Sequence, residues 1–355
     1  MAETHTIGVL TSGGDCAGLN AVIRSVTEHA SGTYGWRVLG LRQGHLGLLE
    51  TPPEVIDLVE AEKFYDLLRT GGTVLGTTTK NDPFHIVSSG GAVHDRSDEV
   101  VAAVRSLGID ALVVIGGDGS MRLFDQLCGK GSLRWIGIPK TIDNDVPGTD
   151  FTVGFFTAVE VVTEALDRLS STAASHRRIM VLEVMGRDSG FIALYGGIAG
   201  GADVILIPEI SYDIDALTAH VSRITAGRPN PVLLVVAEGV SAPLCNLAHS
   251  GASVGTTIAL ELQARTGIDA RCTVLGHVQR GGIPAPFDRL LATSFGVSAV
   301  DLLARGANAR LVAWQGGTVV NVPISDVVTG PRKVDHESLL LKTAIATDIY
   351  IGECN

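Results

Sequence analysis

In Ala111-Leu112-Val113-Val114-Ile115-Gly116-Gly117-Asp118-Gly119-Ser120, five apolar residues run straight into glycines and a carboxylate. A short Val- and Ile-rich run, apolar on both faces, predicts a strand buried in a parallel sheet with a tight turn at its carboxyl end. The same punctuation recurs along the chain. Thr6–Leu10 leads into Thr11-Ser12-Gly13-Gly14-Asp15, and Trp135–Ile138 into Pro139-Lys140-Thr141-Ile142-Asp143-Asn144-Asp145. Ile179–Val184 leads into Met185-Gly186-Arg187-Asp188-Ser189-Gly190, Val232–Ala237 into Glu238-Gly239, and Thr273–Val278 into Gln279-Arg280-Gly281-Gly282. Between these runs lie helical patterns: Leu19, Val22, Ile23, Val26 and Ala30 after the first loop, then Phe155, Val159, Val162, Leu166 and Leu169. Alternating strand and helix predicts an open α/β fold with parallel sheets. Ligands bind such folds at the carboxyl ends of the strands, and nearly every charged, Gly-rich motif falls at one.

Composition narrows the field. A chain of 355 residues predicts one large or two medium domains. With 45% hydrophobic and 18% charged residues it can fill a substantial core, which excludes disorder. The N-terminal stretch has no basic region followed by a long apolar run, so it does not read as a secretory signal. The densest apolar stretch, Val232–Ala237, falls far short of the roughly 20 residues a membrane helix needs. A cytoplasmic protein is expected. Its five cysteines, Cys16, Cys128, Cys245, Cys272 and Cys354, show no paired metal-type spacing and predict reduced thiols. Cys16 sits in a Gly-rich loop, where a small residue fits. The net charge of −11 and the lack of a dense Lys/Arg stripe argue against nucleic acid or an anionic membrane as partner. An acidic enzyme binds an anionic substrate only through a few local arginines, which makes each strand-end arginine a candidate.

The first loop, Gly13 to Gly18, leaves a strand and enters a helix. Its glycines let a phosphate approach the backbone near a helix N-terminus, but a tight strand–helix turn accounts for it equally well. It is neither the Walker pattern nor G-x-G-x-x-G. Gly196-Gly197-Ile198-Ala199-Gly200-Gly201 is a weaker phosphate-loop signal still, and close helix packing explains it as well. In the stretch from Gly116 to Ser120, a carboxylate among glycines can reach Mg2+ while the open backbone admits a polyphosphate. The segment from Pro139 to Asp145 packs a cation, a hydroxyl and two carboxylates into seven residues. Lys140 can neutralise charge on a transferring phosphoryl group, Asp143 can accept a proton from an attacking hydroxyl, and Asp145 can hold Mg2+ or orient its neighbours.

These motifs resemble those of the phosphofructokinase family, whose signatures include TSGGD, GGDGS, P-x-TIDND, VMGR and GH-x-QRGG. All five occur here in family order across residues 11–282. The resemblance implies two Rossmann-like domains with mainly parallel sheets and an active site in the cleft between them. A larger phosphoryl-donor-binding domain would comprise residues 1–154 plus about 279–330, and a smaller sugar-phosphate-binding domain 155–278 plus 331–355. Gly13 would line the donor site with Gly117, Asp118, Gly119 and Ser120, Asp118 holding Mg2+. Thr141 and Asp143 would face the sugar phosphate, with Asp143 as general base for the 1-hydroxyl of fructose 6-phosphate. Met185, Gly186 and Arg187 match the substrate loop, with Arg187 near the transferred phosphoryl, and Glu238 matches a carboxylate that binds sugar hydroxyls. Arg178, Arg271, His277 and Arg280 match the cluster that grips the 6-phosphate, where guanidinium forks suit a phosphate. Arg178 and Arg271 would serve the neighbouring subunit's site, which implies a homodimer or homotetramer.

The phosphoryl donor is contested between two positions. In the family, Gly at 119 goes with ATP and Asp with pyrophosphate, whereas Lys140 is usual in pyrophosphate-dependent members. An Asp at 119 would repel an extra phosphate, while Lys140 supplies charge whichever donor is used, so ATP is expected and pyrophosphate is the alternative. Thr79 stands where many ATP-dependent relatives carry an arginine, and Lys80 can substitute as a point charge. His45 stands where many members have an aromatic. Glu28 stands where an effector-site arginine is expected, which argues against regulation by ADP or phosphoenolpyruvate. A catalytically silent regulatory subunit would have lost Asp118, Asp143 or Arg187, and all three are present.

Overall fold

The computed structural model describes residues 5–60, 66–79, 82–88, 90–226, 231–241 and 251–352. The chain forms two compact units, Met1–Thr157 with Arg280–Pro331, and Ala158–Gln279 with Arg332–Asn355. The first opens with β1 (Thr6–Thr11), α1 (Leu19–Tyr34), β2 (Arg37–Leu41) and β3 (Val55–Asp57). A small hairpin, β4 (Ile86–Val87) and β5 (Val93–His94), precedes α2 (Ser97–Ser106). Then come β6 (Ala111–Gly116), α3 (Asp118–Gly131), β7 (Arg134–Pro139) and α4 (Phe155–His176), within which the chain passes to the second unit. That unit holds β8 (Ile179–Val184), α5 (Phe191–Ala199), β9 (Val204–Leu206), α6 (Ile214–Thr225), β10 (Val232–Ala237), α7 (Val254–Thr266) and β11 (Ala270–Val274). The chain returns to the first unit for α8 (Pro286–Ala304), β12 (Arg310–Gln315) and β13 (Thr318–Pro323), and ends in the second with α9 (Leu339–Ala346).

The first unit's sheet runs β13-β12-β7-β6-β1-β2-β3. The five inner strands are parallel, and β3 and β13 pair antiparallel at the edges. Every residue of β6 is buried, as expected of a strand covered on both faces. Register does the rest. Thr11 pairs with Ile115, and Gly116 with Pro139, so β1, β6 and β7 finish level. The loops after them therefore start side by side.

The second unit's sheet runs β11-β8-β10-β9, all parallel. Val184 pairs with Ala237, which brings Met185 and Glu238 out of the sheet together. The structure corrects one expectation here. The strand expected at Thr273–Val278 runs from Ala270 to Val274, and Gly276–Arg280 forms a short 3-10 helix. β11 is an edge strand whose Arg271, Cys272, Thr273 and Val274 are not fully buried, so the expected run overlaps only its last two residues and continues past its end. Gly276, at φ 50°, takes the left-handed turn out of it.

α1 packs on α8, where an added Cβ at Gly296 would come within 1.9 Å of Ser25 Oγ. Ser25 donates to the Ala292 carbonyl at 3.2 Å, so the two helices meet at backbone distance. No helix among the described residues is long and apolar enough to cross a membrane.

Candidate active site

In the first unit the level strand ends gather one group of side chains. Gly13 has φ +84°, and a Cβ there would lie 3.4 Å from Ser120 Oγ and 3.5 Å from Lys140 Nζ. Its own peptide groups are occupied: its N–H donates to Thr78 O at 2.9 Å, and its carbonyl accepts from Thr77 Oγ1 at 2.7 Å. What Gly13 offers a ligand is therefore space beside Ser120 and Lys140. Ser120 donates to Ser12 Oγ at 2.9 Å, tying the first turn of α3 to the β1 loop. Gly116 is required there, because a Cβ would lie 2.4 Å from Ser120 Cβ. Asp118 is half-buried as the first residue of α3, between Gly117 and Gly119. A Cβ at Gly119 would meet nothing within 4 Å.

Lys140 is 3% exposed and donates to the Gly14 carbonyl. Burial pushes its ammonium pKa below that of an ordinary lysine, and the Arg280 charge adds to the fall, while Asp15 and Asp143 oppose it. Arg280 donates to the Asp15 carbonyl at 3.1 Å, and its Nη1 would lie 2.8 Å from a Cβ at Gly14. Two cations thus face the carbonyls of one glycine loop. The Thr141 hydroxyl accepts from the Asp143 N–H at 3.1 Å, and Thr152 Oγ1 donates to the Thr141 carbonyl at 2.7 Å. Asn144, in the left-handed region at φ 53°, accepts from Thr152 N–H at 3.0 Å. Together these bonds hold the acidic segment in a fixed turn, with Asp143 and Asp145 6% and 7% exposed. Cys16 is fully buried and its thiol is pushed up to about 12 by that burial, so it is a packing residue rather than a nucleophile. Lys80 lies outside the described residues.

In the second unit the loop after β8 turns sharply. Gly186 has φ 150° and Arg187 φ 51°, an uncommon conformation for a side-chain-bearing residue. Glu238 accepts from the N–H groups of Gly186 at 3.4 Å and Arg187 at 3.1 Å. The next residue must be glycine, since a Cβ at Gly239 would come within 1.9 Å of the Arg187 carbonyl. Met185 N–H donates to the buried Gln279 at 3.4 Å. Arg178 and Arg271 meet on one carboxylate, that of Asp269: Arg178 Nε donates to Oδ2 at 2.6 Å, and Arg271 Nη1 lies 2.5 Å from Oδ1. His277 is exposed in the short helix after β11.

The structure thus brings together Gly13, Gly117, Ser120, Lys140 and Arg280 in the first unit. In the second it brings together Arg178 with Arg271, and Gly186 and Arg187 with Glu238. Arg280 sits with the glycine loop, in the other unit from Arg178, Arg271 and His277. Sequence reasoning gave no role to Asp269, Gln279 and Asn20, each of which holds a partner remote in the chain, Arg178, Met185 and the stretch from Thr70 to Val74 respectively. Asn20 left one trace, a polar residue between Leu19 and Val22 on the apolar side of α1. On α1, Glu28 pairs with Arg24 at 2.9 Å.

The chemistry collected at these strand ends is that of phosphoryl transfer: fixed cations, positioned carboxylates and glycines that leave room for phosphates. A family model for phosphofructokinase matches residues 6–303. The chain is 49% identical over 360 residues, 99% of each sequence, to the Synechocystis sp. protein named ATP-dependent 6-phosphofructokinase 1. It is 48% identical over 361 residues to the Nostoc sp. protein of the same name, covering 99% of this chain and 100% of that one. The solved structure of phosphofructokinase from Saccharomyces cerevisiae matches with a TM-score of 0.80 at 30% identity, over 98% of this chain and 46% of the yeast chain. The protein belongs to the phosphofructokinase family and is a phosphotransferase.

Proposed function

We propose that the protein is an ATP-dependent 6-phosphofructokinase of the cytoplasm. It transfers the γ-phosphoryl of ATP to the 1-hydroxyl of fructose 6-phosphate, giving fructose 1,6-bisphosphate and ADP in glycolysis. The observation that carries this reading is the convergence of Gly13, Ser120 and the buried Lys140 at adjoining strand ends. The names of relatives matched over the full chain support it.

In this reading Asp143 accepts the proton of the 1-hydroxyl as its oxygen forms the new bond to the γ-phosphorus. The bond from that phosphorus to the ADP oxygen breaks on the opposite side, and ADP leaves with the electron pair. Lys140 neutralises charge on the transferring group, and Arg187 supplies a second cation for the same purpose. Thr141 holds the turn that aims Asp143. Gly117, Asp118, Gly119 and Ser120 border the donor phosphates. Lys80 follows the same segment as Thr77 and Thr78 and contributes a further positive charge.

Mg2+ fits the Asp118 carboxylate, a hard oxygen donor in a half-buried turn with open space beside it. The ion would supply positive charge against the negative charge of the donor phosphates. Met185, Gly186, Arg187 and Glu238 bind the sugar. Arg178, Arg271, His277 and Arg280 take the 6-phosphate. Arg178 and Arg271 do so for the neighbouring subunit of a homodimer or homotetramer.

Pyrophosphate is the second reading, favoured by Lys140. Initial rates of fructose 1,6-bisphosphate formation with Mg2+ and either donor separate the two. Faster turnover with ATP is expected; faster turnover with pyrophosphate overturns the donor assignment. Because Gly119 borders open space, the fold should accept Gly119→Asp, with a melting temperature within about 2 °C of wild type. The same substitution should cut ATP-dependent kcat/KM at least tenfold through repulsion of the extra phosphate, on the order of 1.4 kcal/mol or more. An unchanged ATP rate in this variant would show that position 119 does not select the donor.

A further inference from the structure

The stretch from Thr70 to Thr79 crosses the mouth of the glycine loop with no regular secondary structure, yet it is firmly tied. Asn20, 1% exposed in the first turn of α1, uses its whole amide on it. Its Nδ2 donates to the carbonyls of Thr70 and Gly71, each at 3.1 Å, and its Oδ1 accepts from Val74 N–H at 2.8 Å. Thr11, fully buried at the end of β1, donates to the Gly76 carbonyl at 2.7 Å. That fixes the remaining proton directions. With its own proton spent, Thr11 Oγ1 accepts from the Thr73 hydroxyl at 3.2 Å, and Thr73 Oγ1 accepts from Leu75 N–H at 3.2 Å. Between these anchors Leu75 is fully buried over Gly40. The segment then delivers Thr77 and Thr78 to the two peptide groups of Gly13.

We infer that Asn20 and Thr11 are positioning residues for the phosphoryl donor. Their side chains pin segment 70–78 and, through Thr77 and Thr78, hold Gly13 against Ser120 and Lys140. Segment 70–78 belongs to the first unit, as do Gly13, Ser120 and Lys140. The clamp therefore acts on the donor and leaves the second unit's Arg178, Glu238 and Arg271 untouched. This inference rests on the donor reading given above.

The test is steady-state kinetics of the full-length protein with Mg2+ and whichever donor wild type uses, comparing Asn20→Ala, Thr11→Val and Thr11→Ser. Asn20→Ala removes three hydrogen bonds and Thr11→Val two, each bond being worth roughly a fivefold effect. Both should raise the donor KM about tenfold or more. The KM for fructose 6-phosphate should stay within about twofold, since none of these bonds involves Asp143, Arg280 or the sugar-binding residues of the second unit. Thr11→Ser, which keeps the hydroxyl, should restore the donor KM. Melting temperatures of all three identify a variant that fails to fold, and the remaining two then decide. If the variants lose thermal stability with both KM values unchanged, or shift both equally, the clamp is structural only and the proposal falls. A wild type inert with ATP and with pyrophosphate would sink the functional reading and this proposal together; an active wild type with kinetically silent variants sinks the proposal alone.

Discussion

Lys140 must keep a proton where burial opposes it, and its rate dependence on pH should say so. Burial first, and the Arg280 charge with it, lowers its pKa from the ordinary lysine value. In the proposed role the charged form is the useful one, and raising the pH removes it. The alkaline limb of kcat/KM should therefore fall below the roughly pH 10.4 of an unperturbed lysine. Donor phosphates bound beside it would stabilise the ammonium, so the limb in kcat should lie at higher pH than the limb in kcat/KM. Lys140→Arg, always charged, should abolish the limb even while lowering the rate; a limb that survives this change belongs to another group. The presence of Lys140 at an acidic strand end was readable from the sequence. Its burial was not, because the lid over it comes from Gly14 and Cys16, more than a hundred residues earlier. Asp269 escaped notice for a similar reason: next to Arg271 it reads as a local ion pair, and it becomes informative only once Arg178, 91 residues away, folds onto it as well.

At the scale of elements, the start of α4 depends on a residue of α8. Asp288, fully buried, accepts from Gly154 N–H at 3.0 Å, Thr157 N–H at 2.7 Å and Thr157 Oγ1 at 2.5 Å. A distant side chain thus does the work of a local cap. Burial raises its carboxyl to about 6 from 3.8, with Thr157, Gly154 and Phe156 pulling it back. The folded protein then holds a proton that the unfolded chain releases between those values. The stability from this group is full below about pH 4 and is lost as the pH rises through 6. Melting curves of wild type and Asp288→Asn should show wild type losing roughly 2–3 kcal/mol relative to the variant from pH 4 to 6.5. A difference flat in pH would remove Asp288 from that account. Elements with both faces buried, such as β6 and β10, could be read directly from their apolar runs. β11 could not, because an edge strand with four incompletely buried residues has no such run. The β12–β13 hairpin, likewise at a sheet edge, left no comparable signature.

For the molecule as a whole, the proposed sharing of active sites makes a prediction that no single chain can meet. If Arg178 serves its neighbour, each site combines one subunit's Asp143 with another's Arg178. Asp143→Asn homo-oligomers should lose about 10²- to 10⁴-fold in kcat, and Arg178→Ala homo-oligomers should bind fructose 6-phosphate poorly. Mixing and reassembling the two should restore activity, because hybrids rebuild one intact site from the undamaged halves. No recovery, with hybrids demonstrated by native mass spectrometry, would mean that Arg178 works within its own chain. The divided first unit has a further consequence, for synthesis on the ribosome. After Thr157 is made, the edge of β7 that β12 will pair with is bare, as is the face of α1 that α8 will cover. The completing segment begins only at Arg280. At about 5–20 residues per second the ribosome needs roughly 6–25 s to reach it. During that interval a nascent chain offers an open parallel edge and an uncovered helix face. Chaperone capture on stalled chains should peak at lengths within this window and fall once α8 and β12 have emerged.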